Sequence, residues 1–147
     1  MAELKIVYWS GTGNTAIMAD CIAKGAGAAG AEAKLIPVEE TTPQELAAEK
    51  VFALGCPSMG DEVLEEMTME PFVEELEKSV SGKKILLFGS YGWGDGQWMR
   101  DWTERMTAAG AQMIEMDGVI ANGAPAGEDE EHCLSAGKLL GEAFKEA

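Results

Sequence analysis

Three short segments carry the side chains best suited to hold a small ligand, and none of the three contains a lysine or an arginine. The first, Ser10-Gly11-Thr12-Gly13-Asn14-Thr15, stands between an apolar run and a helical pattern. Its glycines let the backbone turn sharply and come close to a ligand, and its hydroxyls and carboxamide offer hydrogen bonds. The helix that follows presents free N–H groups and the positive end of its dipole, which makes the loop an anion site. A nucleoside-triphosphate loop would end in Gly-Lys-Ser/Thr, and a dinucleotide loop would carry a third glycine where Ala16 stands. A hydroxyl-rich loop without cations suits a single phosphate monoester. The second segment, Pro57-Ser58-Met59-Gly60-Asp61-Glu62, combines a polarizable thioether that packs well on aromatic rings with a glycine whose backbone can change conformation cheaply. The third, Ser90-Tyr91-Gly92-Trp93-Gly94, alternates glycines with aromatics. Trp93, flanked by glycines, is poorly placed for a core and well placed as a platform for a ligand ring. Trp98 and Trp102, at i and i+4 of a helical pattern, read as packing, as does Trp9 beneath the first loop.

These segments need a frame that brings them together. Four runs are apolar on both faces and read as buried parallel strands: 4–9, 51–55, 85–89 and 112–116. A fifth, 32–38, is more polar and holds Pro37, which suits an edge. Helical patterns fill 14–29, 71–80, 96–109 and 128–147, with Pro71 suited to a first turn and the glycines of 25–30 closing the first helix. Strand and helix alternate throughout, which implies an α/β doubly wound parallel sheet with helices on both faces, a single domain over 1–147. In such a sheet ligands bind beyond the carboxyl ends of the strands, and the three segments follow the first, third and fourth strands.

Composition narrows the classes. A net charge of −15 argues against nucleic acid and against anionic membranes, both of which call for lysine and arginine. It suits electrostatic steering onto basic partners. The stretch from Asp61 to Glu77 holds eight acidic residues and no basic one, so it is the expected docking surface. No apolar run is long enough to span a bilayer, and the N-terminal residues lead directly into a strand, so the expected location is the cytoplasm. Cys21, Cys56 and Cys133 are widely spaced and odd in number, which reads as buried thiols and not as a disulfide framework or metal site. A receiver domain would need an aspartate after the third strand, where Cys56-Pro57-Ser58 stand. A cysteine phosphatase would need an arginine shortly after Cys56, and the next is Arg100.

The first loop matches the phosphate loop of the flavodoxins, [ST]-x-T-G-x-T, at every defined position, and the strand before it resembles that of the short-chain, anaerobe-type members. The likeness continues through 60–66 and through Tyr91 to Asp101. The resemblance implies a flavodoxin-like five-stranded sheet in the order 2-1-3-4-5 and one non-covalently bound flavin mononucleotide (FMN). It implies that the loop Met59-Gly60-Asp61-Glu62 covers the inner face of the flavin and Trp93 stacks on the outer face. It further implies that the Gly60 carbonyl accepts the flavin N5–H, that Glu62 accepts N3–H, and that the Gly92 and Gly94 amides meet the pyrimidine edge. The implied activity is one-electron shuttling through the semiquinone/hydroquinone couple between redox partner proteins, by a monomer with no catalytic or metal site. The competing reading is a small FMN-dependent NAD(P)H:flavin or quinone oxidoreductase, which would need a proton donor over the flavin; the only histidine, His132, lies in the last helical region. The Gly118–Gly127 stretch fits the resemblance least and is expected to lie away from the flavin loops.

Overall fold

The computed structural model describes residues 3–11, 13–59, 62–92 and 94–147. Their backbone forms strands β1 (Leu4–Tyr8), β2 (Ala33–Pro37), β3 (Val51–Gly55), β4 (Lys84–Tyr91), β5 (Gln112–Met113) and β6 (Val119–Asn122). Helices α1 (Asn14–Ala28), α2 (Pro43–Ala47), α3 (Met69–Leu76), α4 (Gln97–Ala108) and α5 (Glu128–Glu146) connect or follow them. All pairings are parallel, in the order β2-β1-β3-β4-β5, with β6 also on β4. That is the expected order 2-1-3-4-5.

The apolar runs explain the layering. Every residue of β3 is buried, and β4 is buried from Ile85 to Ser90, because helices cover both faces of the sheet. Side chains alternate between two cores. Val7, Phe52, Leu54 and Leu87 pack with Trp98 and Trp102 of α4 and Phe72 of α3. Ile6, Ala53, Leu86 and Phe88 pack with Met18 and Ile22 of α1 and Cys133 and Leu140 of α5. The two helices of the second core meet almost backbone to backbone. A Cβ at Gly25 would stand 2.1 Å from the Leu134 carbonyl oxygen, and one at Gly137 would stand 2.2 Å from that of Ile22. The thiols of Cys21, Cys56 and Cys133 are free and buried, as expected. No helix among the described residues is long and apolar enough to cross a membrane.

Two expectations need correction, and one helix was not foreseen. The fifth strand does not run unbroken over 112–116. It holds its place in the sheet as β5 and β6, separated at Ile114–Gly118, where the Gly118 N–H donates to the Glu115 carbonyl (3.1 Å) and Gly118 adopts a φ of 71°. The Asp117-Gly118 turn cuts short the apolar run before it. The second helical pattern starts at Met69, before Pro71, and ends in a 3-10 turn at Glu77–Ser79. The short α2 was not legible as a periodic pattern; Thr42 caps it, accepting from the Glu45 N–H (3.1 Å).

Candidate functional site

The carboxyl ends of β1, β3 and β4 are laced together past their formal ends. The Trp9 N–H donates to the Gly55 carbonyl (2.9 Å), Cys56 to Phe88 (3.0 Å) and Ser58 to Ser90 (2.9 Å). The loops that follow therefore emerge side by side, around a cleft of about 220 Å³.

The described part of the first loop is shaped by its own side chain and backbone. The Ser10 hydroxyl accepts from the Gly13 N–H (3.1 Å) and the Ala16 N–H (3.4 Å), drawing the loop over the start of α1. Gly13 occupies the left-handed region (φ 97°) at the N-cap and offers no side chain to cap the helix; with the Ala16 N–H taken by Ser10, the Asn14 and Thr15 N–H groups at the start of a 15-residue helix stay available to a ligand. The first turn of α1 holds no acidic residue that would repel an anion. Gly11 is pinned by its neighbour: a Cβ there would meet the Trp9 ring at 3.0 Å. Gly11 and Asn14 face the cleft, while Ser10 and Gly13 face an adjoining hollow of about 450 Å³ that also touches Gly11. Thr15 does something different. It is 1% exposed, and its hydroxyl shares a hydrogen bond with that of Ser90 (3.1 Å) and accepts the Ser90 N–H (3.3 Å). This buried pair fixes the start of α1, and with it the first loop, against β4.

From the second loop, Pro57, Ser58 and Met59 line the cleft. Met59 and Val63 exchange a pair of backbone bonds (2.8 and 2.9 Å), closing the turn between them. Two buried groups hold this turn from behind. The Cys56 sulfur accepts the Glu65 N–H (3.4 Å), and burial pushes that thiol up to about 12. Glu65, 7% exposed, accepts the N–H groups of Met67 (2.8 Å), Thr68 (2.8 Å) and Met69 (2.9 Å). Burial alone would raise its pKa; the three backbone donors outweigh it and hold the carboxyl below its ordinary value. Glu62 is not among the residues that line the cleft. Its backbone takes a positive φ of 54°, and its Oε1 accepts the Gly96 (3.2 Å) and Gln97 (2.9 Å) N–H groups at the start of α4. It thus caps that helix and ties the second loop to the third.

From the third loop, Ser90, Tyr91 and Gly92 line the cleft, and Tyr91 packs on Trp98 with ring centroids 5.5 Å apart. Gly94 stands against the Glu62 carboxylate, where a Cβ would come within 2.5 Å. Trp98 and Trp102 are each 1% exposed and belong to the core. Thr12, Gly60, Asp61 and Trp93, all expected at the site, lie outside the described residues.

Two residues at the cleft were not expected there. Trp9 lines it as well as packing under the first loop. Gly123 lines it too, its N–H donating to the Tyr91 carbonyl (2.8 Å), while the neighbouring Asn122 side chain donates to the Gly92 carbonyl (3.4 Å). The Gly118–Gly127 stretch therefore runs beside the site and not away from it. Parallel pairing of β6 with β4 carries its end to the same sheet edge, and glycine spacing alone held no signal of that.

Among the described residues, the cleft and hollow are lined by no lysine or arginine, and Glu39 is their only carboxylate. An apolar-walled slot with backbone donors at one end fits a flat ring bearing a phosphate. His132 pairs with Glu115 (3.3 Å) and is not part of the lining. No group of three or more metal-ligating side chains occurs among the described residues.

A family model described as Flavodoxin matches residues 6–137. The chain is 50% identical to a flavodoxin of Clostridium beijerinckii over 93% of its own length and 98% of that protein's. It is 44% identical to a flavodoxin of Megasphaera elsdenii over 98% and 99% of the two. The solution structure of the two-electron reduced Megasphaera elsdenii flavodoxin superposes with a TM-score of 0.87 at 42% identity, covering 95% of this chain and 98% of the other.

Proposed function

The chain belongs to the flavodoxin family and its cofactor is FMN, and from that premise we propose that it is a low-potential one-electron carrier between redox proteins, with no substrate chemistry of its own. FMN supplies single-electron steps when bound; the protein grips it and sets how readily it takes up charge. The observation that carries this reading is a largely apolar cleft lined, among the described residues, by no lysine or arginine. A reduced, anionic ring beside Asp61, Glu62 and Glu66 is electrostatically penalised, and apolar contact with Met59 and Trp93 adds desolvation. Both effects lower the potential of the last electron.

The residues divide the work. The N–H groups of the first loop and of α1 take the phosphate, with Ser10, Thr12 and Asn14 around it. Met59 and Trp93 cover the two ring faces. The Gly60 carbonyl accepts a hydrogen bond from the flavin N5–H, a role glycine allows because its peptide turns over cheaply. Glu62 has its Oε1 committed to α4, so Oε2 is the atom for N3–H. The Gly92 and Gly94 amides meet the pyrimidine edge.

Partners dock on the acidic surface beside the second loop. That surface is smaller than the eight carboxylates of 61–77 suggest. Glu65 turns inward, Glu62 caps α4, and Glu70 and Glu77 bind Arg105. Glu75 is exposed but paired with Lys78 (3.1 Å); Glu66 and Glu74 remain exposed, and they favour a basic partner whose rate of reduction falls with salt. The test is a spectroelectrochemical titration of the purified protein. Two resolved one-electron steps, the second well below that of free FMN, support the reading. A colourless chain that takes up no added FMN, or rapid reduction by NAD(P)H without a reductase, overturns it.

A further inference from the structure

Beside the flavin cleft, on the flank formed by α3 and α4, lies a separate groove of about 110 Å³, half the volume of the cleft. It is too small for a ring system and large enough for one side chain. Glu62, Val63, Glu70, Asp101, Trp102 and Arg105 contribute to its walls.

Its charge balance is negative once the pairings are followed. Arg105 is spent: it donates to Glu70 (2.9 and 2.7 Å) and to Glu77 (2.8 and 3.3 Å), the bidentate geometry that suits a guanidinium. It leaves Glu62 and Asp101 unneutralised. Glu62 gives Oε1 to the start of α4, and Asp101 gives Oδ1 to the Gln97 amide (2.8 Å). The second oxygen of each carboxylate has no partner among the described residues.

An independent feature marks the same groove. Trp102 is 1% exposed, and its indole N–H meets no acceptor among the described residues. The neighbouring Trp98 indole, equally buried, donates to the Cys56 carbonyl at 3.1 Å. Buried donors are nearly always paired, so an unpaired one in a groove wall calls for an acceptor from another molecule. At the rim, Val63 is 41% exposed and is bonded through its backbone to Met59 of the cleft wall. An occupant of the groove would thus sit next to the flavin site.

We propose that this groove receives one arginine or lysine of the redox partner. The aliphatic stem lies on Val63, the cationic head meets the free oxygen of Asp101 in the negative field of Glu62, and a main-chain carbonyl of the same partner residue accepts the Trp102 N–H. The proposal rests on the basic-partner reading above and gives it an anchoring point, since interface energy concentrates where a side chain fills a pocket.

The test uses the FMN-loaded protein, labelled with ¹⁵N and titrated with acetyl-arginine-amide, which carries both the cation and carbonyls. The expected result is a saturable shift of the Trp102 indole N–H signal, one of the four tryptophans of the chain, identified by its loss in Trp102→Phe. Acetyl-lysine-amide should shift it too, and acetyl-norleucine-amide, with carbonyls but no cation, should not. Asp101→Asn, an exposed position, should weaken the arginine titration at least fivefold while the FMN spectrum stays unchanged. No saturable shift, an equal shift with the norleucine compound, or an Asp101→Asn protein that titrates like the wild type overturns the proposal. Because the readout involves no electron transfer, each of these outcomes leaves the carrier reading standing.

Discussion

Replacing Glu65 should loosen the turn that carries the second flavin loop. The wild-type carboxylate accepts three backbone N–H groups at 2.8, 2.8 and 2.9 Å. Full loss of three charge-assisted bonds would overstate the cost, because not all three donors stay dry. Met67 is 87% exposed and Thr68 half-buried, so their N–H groups can turn to water, whereas Met69 is wholly buried. One stranded buried donor costs about 1.5–3 kcal/mol, and the two re-solvated ones about 0.5–1 kcal/mol each. Glu65→Ala should therefore lose about 3–5 kcal/mol, a fall in Tm on the order of 10 °C for a chain of this size. Glu65→Gln keeps an oxygen for Thr68 and Met69 but turns an NH2 toward the Met67 N–H, and should lose about 2 kcal/mol. The pH dependence gives an independent check. Because the folded carboxyl lies below its ordinary value, its contribution is full above the unfolded pKa of about 4.3 and is lost as pH falls through the folded value. The stability gap between wild type and Glu65→Gln should be flat near neutrality and close on acidification below about pH 4. Urea melts of the FMN-loaded and FMN-free protein across that range measure it. A Glu65→Ala protein within about 1 kcal/mol of wild type, or a gap that persists unchanged to about pH 3, refutes the reasoning.

Further outcomes follow from other contacts. Gly25→Ala places a methyl 2.1 Å from the Leu134 carbonyl and must push α1 from α5; a loss of about 1–3 kcal/mol is expected by calorimetry. Thr15→Val leaves the Ser90 N–H and hydroxyl without their partner, so stability should drop by about 1–3 kcal/mol, and FMN affinity should fall in fluorescence titration as the phosphate loop loses its tie to β4. Burial pushes the Cys56 and Cys133 thiols up to about 12, so the native protein at pH 8 should resist iodoacetamide and the unfolded chain should take up three equivalents. If Gly60 has the role proposed for it, Gly60→Val should weaken the hydrogen bond that its carbonyl accepts from N5–H and bring the two one-electron steps of the titration closer together; unchanged separation would remove that role from Gly60.

The chemistry of the site was legible in the chain because its parts are local. Ser10 to Thr15 read as an anion loop from residues adjacent in sequence, and short doubly apolar runs such as 51–55, by their length, read as strands covered on both faces. The order of the sheet came through the family resemblance to the phosphate loop, not through periodicity. What the sequence could not disclose were relations between distant segments. Nothing around Thr15 indicates that its hydroxyl spans 75 positions to Ser90, or that Gly123 returns to the cleft along β4. The eight acidic residues of 61–77 look alike as letters, yet the fold gives them separate tasks: Glu65 inward to three amides, Glu62 to the start of α4, Glu70 and Glu77 to Arg105. Residue type fixes what a group can bond, and spacing fixes which neighbours on its own element it meets. Which donor finally reaches a carboxylate depends on how two helices and two loops pack, and only the tertiary structure decides that.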